Sequence, residues 1–325
     1  MTLGDFAPLT PDTILDAVET AACLDLASYA HPLNSYINRV YELMQKDGTR
    51  FIAKFYRPGR WSRAAVEEEH RFVIACAEAD IPAVAPTTLA DGQTVGETDT
   101  GIFFAVFPKR RGREWEAIDD EAWQRLGSLV GRIHAVGAEE DASHRPILHP
   151  AHSAEECLNE LLAGGIVTDK HRDEFADFAK QARQKLARAF EKTDPEDYIR
   201  LHGDCHQGNI LHRPGEGLVV IDFDDMAMGP TVQDLWMLLP DTVKNCRREI
   251  NLILEGYEMF REFDDAELRL VEALRLMRML YFLAWVGRQR NDPGFARHFP
   301  GWGEDAFWRR ELAELSRQLA AVDAG

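Results

Sequence analysis

Two hydrophobic periodicities divide the chain. Up to about residue 107, short apolar runs alternate with turn residues; from about residue 120, apolar positions recur every three to four residues. Near the start, Thr10 caps a helix whose first position is Pro11, and Ile14, Leu15, Val18 and Ala22 form its apolar stripe. Residues 33–43 are polar first and alternating later, a loop leading into a strand. Asp47-Gly48 is a hairpin turn signal, and Phe51-Ile52-Ala53-Lys54-Phe55-Tyr56 is the returning strand. A helix follows from Ser62 to Glu78. The prolines of Ile81-Pro82-Ala83-Val84-Ala85-Pro86 keep that segment extended. Gln93-Thr94-Val95, after the turn Asp91-Gly92, and Gly101 to Phe107 read as further strands, and Pro108 ends the second.

The remainder is mainly helical. Glu121 to Val136 carries Trp123, Leu126, Val130, Ile133 and His134 on one face, with Gly127 and Gly131 permitting close approach of a neighbouring helix. His134 reads as a packed or capping histidine. Helices are expected at 153–163, 170–191, from Met228 to Trp236, and near 246–260, 266–289 and 304–322. These patterns place a small sheet-rich lobe at residues 1–107 and a helical lobe at 108–325.

Composition narrows the function classes. A net charge of -18 disfavours nonspecific binding to nucleic acid or acidic membranes, so a phosphate site would have to be locally basic. Five scattered cysteines with no C-x-x-C pair fit reduced thiols in a cytoplasmic protein. Met1 to Asp5 lacks the basic region of a secretion signal, and the run Met279 to Val286 is too short to span a membrane.

The chemistry concentrates between Leu201 and Asp225. His202-Gly203-Asp204 is followed by Asn209, and Asp222 closes the apolar run Leu218 to Ile221. Arg213-Pro214-Gly215-Glu216-Gly217 reads as the turn of a hairpin, which returns Asp222 to Asn209. Type, order and spacing match a phosphoryl-transfer loop: an Asp that accepts the acceptor's proton, then an Asn and a second Asp that hold magnesium on the phosphates. Asp224 stands where the glycine of D-F-G would be, so only Asp222 of that motif carries over. Asp234 is placed to brace the loop. The bland alternative is a hairpin whose Asp and Asn merely cap amides.

Lys54, in a strand ahead of this set, becomes the candidate phosphate lysine. Its partner on the next helix is Glu69, with Glu68 second: Glu69 shares a face with Phe72, Val73 and Cys76, whereas Glu67 and Glu68 are expected to point further outward. No glycine-rich loop precedes Lys54, but Ser35 and neighbouring amides can donate to phosphate oxygens. Adenine is expected near Val106 and Phe107. Lys109-Arg110-Arg111-Gly112-Arg113 reads as a solvated basic loop.

Leu33-Asn34-Ser35-Tyr36, Lys54 to Pro58, His202 to Leu211, Gly229 to Leu239 and Tyr281 to Trp285 together resemble the aminoglycoside-phosphotransferase and choline-kinase group of protein-kinase-like folds. Within that group the likeness is to bacterial serine/threonine protein kinases of the stress response, over nearly the whole chain. The resemblance implies an α+β, two-lobed fold with a small antiparallel sheet and a mainly helical second lobe. It also implies a cytoplasmic, monomeric enzyme dependent on ATP and Mg2+, with a protein serine or threonine as acceptor. Carried onto this sequence, Asp204 accepts the proton, Asn209 and Asp222 bind magnesium, Ser35 contacts ATP, and Asp222 is an active-site residue. The residues themselves leave the acceptor open, because the short stretch from Asp222 to Gly229-Pro230 has no room for a long peptide-binding activation loop. That suits a small alcohol, such as an aminoglycoside, amino alcohol or sugar, equally well. A metal phosphohydrolase reading of Asp169-Lys170-His171 with Gly203 to His206 fails for want of a later Gly-Asn-His, and a nonenzymatic nucleotide binder would not need Asp204.

Overall fold

The computed structural model of the chain describes residues 6–213, 215 and 217–323. Pro214 and Glu216 of the expected turn, and the opening Met1 to Asp5, lie outside the described residues. Thr10 Oγ1 accepts from the Thr13 amide at 3.2 Å and starts α1 (Pro11–Ala22), whose Ile14 and Val18 pack beneath a five-stranded antiparallel sheet. The sheet contains β1 (Leu26–Leu33), β2 (Arg39–Gln45), β3 (Arg50–Phe55), β4 (Gly96–Glu97) and β5 (Phe103–Pro108), in the order β1-β2-β3-β5-β4.

Two details differ from expectation. β1 has no sequence signal: it is an edge strand, largely solvated, with Pro32 within it, so its apolar positions do not alternate. The segment 34–38 is therefore the loop of a hairpin between β1 and β2, not a lead-in to a first strand. The strand expected at Gln93–Val95 is instead β4, two residues long. Gly96 has room for no side chain there, since a Cβ would sit 2.4 Å from the Phe104 ring.

α2 (Arg63–Glu78), capped by Ser62, crosses behind the sheet. The segment after it is extended, and the Val220 amide donates to Pro82 O at 2.9 Å, tying it to the second lobe. β6 (Arg113–Glu114) then leads to α3 (Asp120–Gly137). The helical part is completed by α4 (Glu155–Ala163), α5 (Arg172–Ala189), α6 (Val232–Trp236), α7 (Arg247–Tyr257), α8 (Val271–Arg288), α9 (Phe295–His298) and α10 (Asp305–Val322). α3 and α7 touch backbone to backbone. A Cβ on Gly127 would lie 1.8 Å from Ile253 O, which is why glycine stands there. Among the described residues no helix is long and apolar enough to cross a membrane.

Two strand pairs carry the central stretch. β7 (Ile199–Leu201) pairs with β10 (Ala227–Gly229), and β8 (Ile210–Arg213) pairs antiparallel with β9 (Gly217–Val220), with β6 on the outer side of β8. The helix expected from Met228 thus begins only at Val232, because the Met228 amide donates to Pro146 O at 2.8 Å and the residue is held in β10.

Candidate active site

The β7 end, the β8–β9 hairpin and α2 meet at one cleft. Gly203 makes the turn after β7 with φ +82°, and a Cβ there would sit 2.0 Å from Asp225 O. Asp234, wholly buried, accepts from the His202 amide at 2.8 Å and the Gly203 amide at 2.9 Å, so it braces the loop as expected. His134 lies between Asp234 (3.0 Å) and the Tyr257 hydroxyl (3.0 Å) and is fully buried, a packing residue. Burial opposes the Asp234 charge, but His134 and the loop amides hold its carboxyl below the ordinary value.

Asn209 Nδ2 donates to Asp204 O at 2.9 Å, and the Ile221 amide donates to Asn209 O at 3.0 Å. The hairpin therefore does return Asp222 to Asn209. Asp222 has φ +62°, a left-handed conformation costly for a residue with a side chain, and its carboxylate is half exposed. Behind it, Phe223 packs on the His202 ring at 4.5 Å and on Phe72 of α2 at 5.6 Å between centroids. This stack fixes the helix bearing Glu69 to the loop bearing Asp204.

Lys54 Nζ lies 2.9 Å from Asp222 Oδ1, 3.1 Å from Asp224 Oδ1 and 4.0 Å from Glu69 Oε1. Burial works against its charge, but the three carboxylates outweigh that and hold its pKa well above the ordinary lysine value. Burial, with Asp224 and Asp222 adding to it and Lys54 opposing it, raises the Glu69 carboxyl to about 7. Glu68 is buried too, against expectation: it accepts from the His144 amide at 2.9 Å and from Ser143 Oγ at 3.3 Å. α2 is covered on two sides, so the face holding Phe72 is not its only buried one. Glu67 stays partly exposed, 3.8 Å from Arg63.

Asp224 was the residue with no expected role. It is 4% exposed and ion-paired to both Lys54 and Arg60, and Asn38 Nδ2 donates to its Oδ2 at 3.2 Å. Arg60 also reaches Asp225 at 2.7 Å, while Arg145 donates to the Asp224 and Met226 carbonyls beneath. Burial would raise the Asp224 carboxyl, yet Arg60, Lys54 and Arg145 keep it well below the usual range. The sequence signal was the departure from glycine itself, an acid where a small flexible residue is usual.

Ser35 sits partly buried in the β1–β2 loop, and β2 pairs with β3, the strand that carries Lys54. Phe107 pairs with Ile52 on the Lys54 side of the sheet, whereas the Val106 side chain is fully buried in the core on the α1 side and its carbonyl accepts from the Thr87 amide at 2.7 Å. The basic run is less solvated than expected at one end: Lys109 pairs with the buried Glu42. Asp169 and His171 are engaged elsewhere, with Arg172 and Asp305.

Among the described residues no cluster of three or more His, Cys, Asp or Glu could enclose a metal. The exposed Asp222 carboxylate beside Asn209 instead forms an open, all-oxygen set. That fits Mg2+, which prefers one or two protein oxygens plus phosphates and water. Next to the loop a cavity of about 460 Å³ is lined by Arg60, Trp61, Gly203, Asp225, Arg278 and Tyr281, and Arg278 is ion-paired with Asp204. Arg278 thus joins the cavity to Asp204, and Asp222, two residues before Asp224, sits with Lys54 on the other side of the same loop.

The profile of the phosphotransferase enzyme family matches residues 30–271. Stress response kinase A of Escherichia coli (strain K12) is 39% identical over 98% of this chain and 94% of its own. Serine/threonine protein kinase RdoA of Salmonella typhimurium (strain LT2) is 37% identical, covering 96% and 93%. Among solved structures, amicoumacin kinase hAmiN in complex with AMP-PNP, Ca2+ and Ami has a TM-score of 0.76 at 19% identity, covering 96% of this chain and 95% of that one. Choline kinase LicA from Streptococcus pneumoniae has a TM-score of 0.63 at 12% identity, covering 95% and 98%. These structures share the fold.

Proposed function

The chain belongs to the phosphotransferase enzyme family and is a kinase with a protein-kinase-like fold, and from that footing we propose that it transfers the γ-phosphate of ATP, with Mg2+, to a serine or threonine of a protein in a bacterial stress response. The observation that carries the site reading is the convergence of Lys54, Asp222 and Asp224 within 3.1 Å, beside the loop holding Asp204 and Asn209. In this reading the lobes divide between residues 107 and 108, and the enzyme works in the cytoplasm as a monomer.

Lys54, held by Glu69 and Asp224, would grip the nucleotide phosphates. Asn209 and Asp222 would hold Mg2+, which when bound neutralises phosphate charge. Ser35 and the amides of its loop would cover the phosphates, and the adenine would lie against Phe107 and the Val106 backbone. Asp204 orients the acceptor hydroxyl and takes its proton. The protein acceptor is supported by the serine/threonine kinase relatives, which match this chain nearly end to end.

A second reading, a small alcohol as acceptor, is supported by the chamber of about 460 Å³ beside Gly203 and by the short link from Asp222 to β10. The test is transfer of labelled γ-phosphate by wild type and Asp204→Asn to a generic basic protein, to the enzyme itself and to a panel of small alcohols. Label on serine or threonine that vanishes in the variant supports the protein kinase. Label confined to an alcohol keeps the site and overturns the acceptor. Undiminished transfer by Asp204→Asn sinks the base.

A further inference from the structure

The catalytic loop of this chain contains no permanent cation. Between Asp204 and Asn209 stand Cys205, His206, Gln207 and Gly208. Charge that gathers on a transferring phosphoryl group is met by a cation or donor positioned beforehand, because a group that has to reorganise during the reaction contributes less. His206 is close, its Nε2 3.6 Å from Asp204 Oδ2. Its Nδ1, however, accepts from the Gly208 amide at 3.0 Å, and that contact ties the ring to its own loop. The cations deeper in the cleft are engaged: Lys54 with Asp222 and Asp224, Arg60 with Asp224 and Asp225, and Arg145 with backbone carbonyls.

Arg278 comes from a different part of the chain. It projects from α8, a long helix anchored by the buried Leu274 and Met277 and by the Arg288–Glu160 pair at 2.7 Å. One guanidinium nitrogen, Nη2, donates to Asp204 Oδ1. The side chain remains 35% exposed and lines the chamber, so the fork borders the space where acceptor and phosphoryl group must meet. A guanidinium has five donors and keeps its charge at any working pH, so one contact with the base leaves others for phosphoryl oxygens.

We infer that Arg278 is a catalytic residue, the cation that α8 supplies in cis to the transferring phosphoryl group while holding Asp204 in line. This rests on the phosphoryl-transfer reading above. In the step it serves, the acceptor oxygen bonds to the γ-phosphorus and the bond from that phosphorus to the β,γ-bridging oxygen breaks. The acceptor's proton passes to Asp204, and the bridging electron pair departs with ADP. Arg278 faces the phosphoryl oxygens, over which charge is spread in the transition state.

The experiment follows single-turnover transfer from γ-labelled Mg-ATP, with water, a generic basic protein and the panel of small alcohols as acceptors. It compares wild type, Arg278→Met, Arg278→Lys and Asp204→Asn. Arg278→Met should slow transfer about 100-fold or more, with affinity for a non-hydrolysable Mg-ATP analogue within about threefold of wild type and the melting temperature unchanged. Added guanidinium ion should restore part of the rate, and Arg278→Lys should fall between. A loss under about threefold in Arg278→Met overturns the inference. So does a loss that guanidinium does not rescue and that nucleotide affinity matches, since that is the signature of a structural role. If wild type transfers label to no acceptor, water included, the phosphoryl-transfer reading fails and the arginine's role with it. Transfer that Asp204→Asn abolishes and Arg278→Met leaves intact sinks the arginine alone.

Discussion

Replacing Asp224 by Asn tests whether the ring of charges behind the cleft is structural support or idle. The carboxylate is 4% exposed, ion-paired to Lys54 at 3.1 Å and to Arg60, and accepts from Asn38. Losing one partner of a buried pair costs about 3–5 kcal/mol, because the remaining charge stays desolvated. Here both cations keep a second carboxylate, Lys54 at 2.9 Å from Asp222 and Arg60 at 2.7 Å from Asp225. The Asp222 carboxylate is half exposed, so its hold on Lys54 is partly screened. The low end, about 3 kcal/mol, is expected, corresponding to a fall of roughly 4 °C in melting temperature. Urea unfolding followed by circular dichroism measures it, and a double-mutant cycle with Arg60→Met isolates the pair. The sign with pH is defined. The folded-state value of Asp224 is depressed, so its contribution is present above about 3.9 and is lost as pH falls through the lowered value. Asp224→Asn should therefore be less sensitive than wild type to acid. Unchanged urea midpoints, or a coupling to Arg60 below about 0.5 kcal/mol, would refute the reasoning.

Other perturbations separate the parts of the site. Asp222→Ala should weaken nucleotide binding in the presence of magnesium and leave the magnesium-free affinity nearly unchanged, which isothermal titration with and without chelator distinguishes. Gly203→Ala forces a Cβ to 2.0 Å from Asp225 O at φ +82°, and a stability loss above about 3 kcal/mol is expected in thermal melts. Glu69 is raised from 4.5 to about 7, so the folded chain binds its proton more tightly; that stabilisation is complete below about 4.5 and lost as pH rises through about 7. Glu69→Gln cannot ionise, so its urea midpoint should fall less than wild type's between about pH 5 and 8; parallel curves would contradict the raised value.

The sequence by itself determined the features whose cause is local. The Thr10 cap, the helix of Ser62 to Glu78, the α3 stripe with its two glycines, and the hairpin that returns Asp222 to Asn209 all follow from spacings within a few turns or one loop. Asp204, Asn209 and Asp222 were legible for the same reason, since one loop and one hairpin carry them. Asp234 bracing the loop was legible too, only thirty-two residues beyond His202. The tertiary structure alone decided which charges meet. Lys54 lies 168 residues from Asp222, Arg60 lies 164 from Asp224, Asn38 lies 186 from Asp224, and Arg278 lies 74 from Asp204. Periodicity shows that a helix has a buried face but not what covers it, which is why Glu68 was expected outside and why β1, a solvated edge strand, left no alternation. A buried carboxylate is stable only where distant cations converge on it, and that convergence is a property of the packed chain.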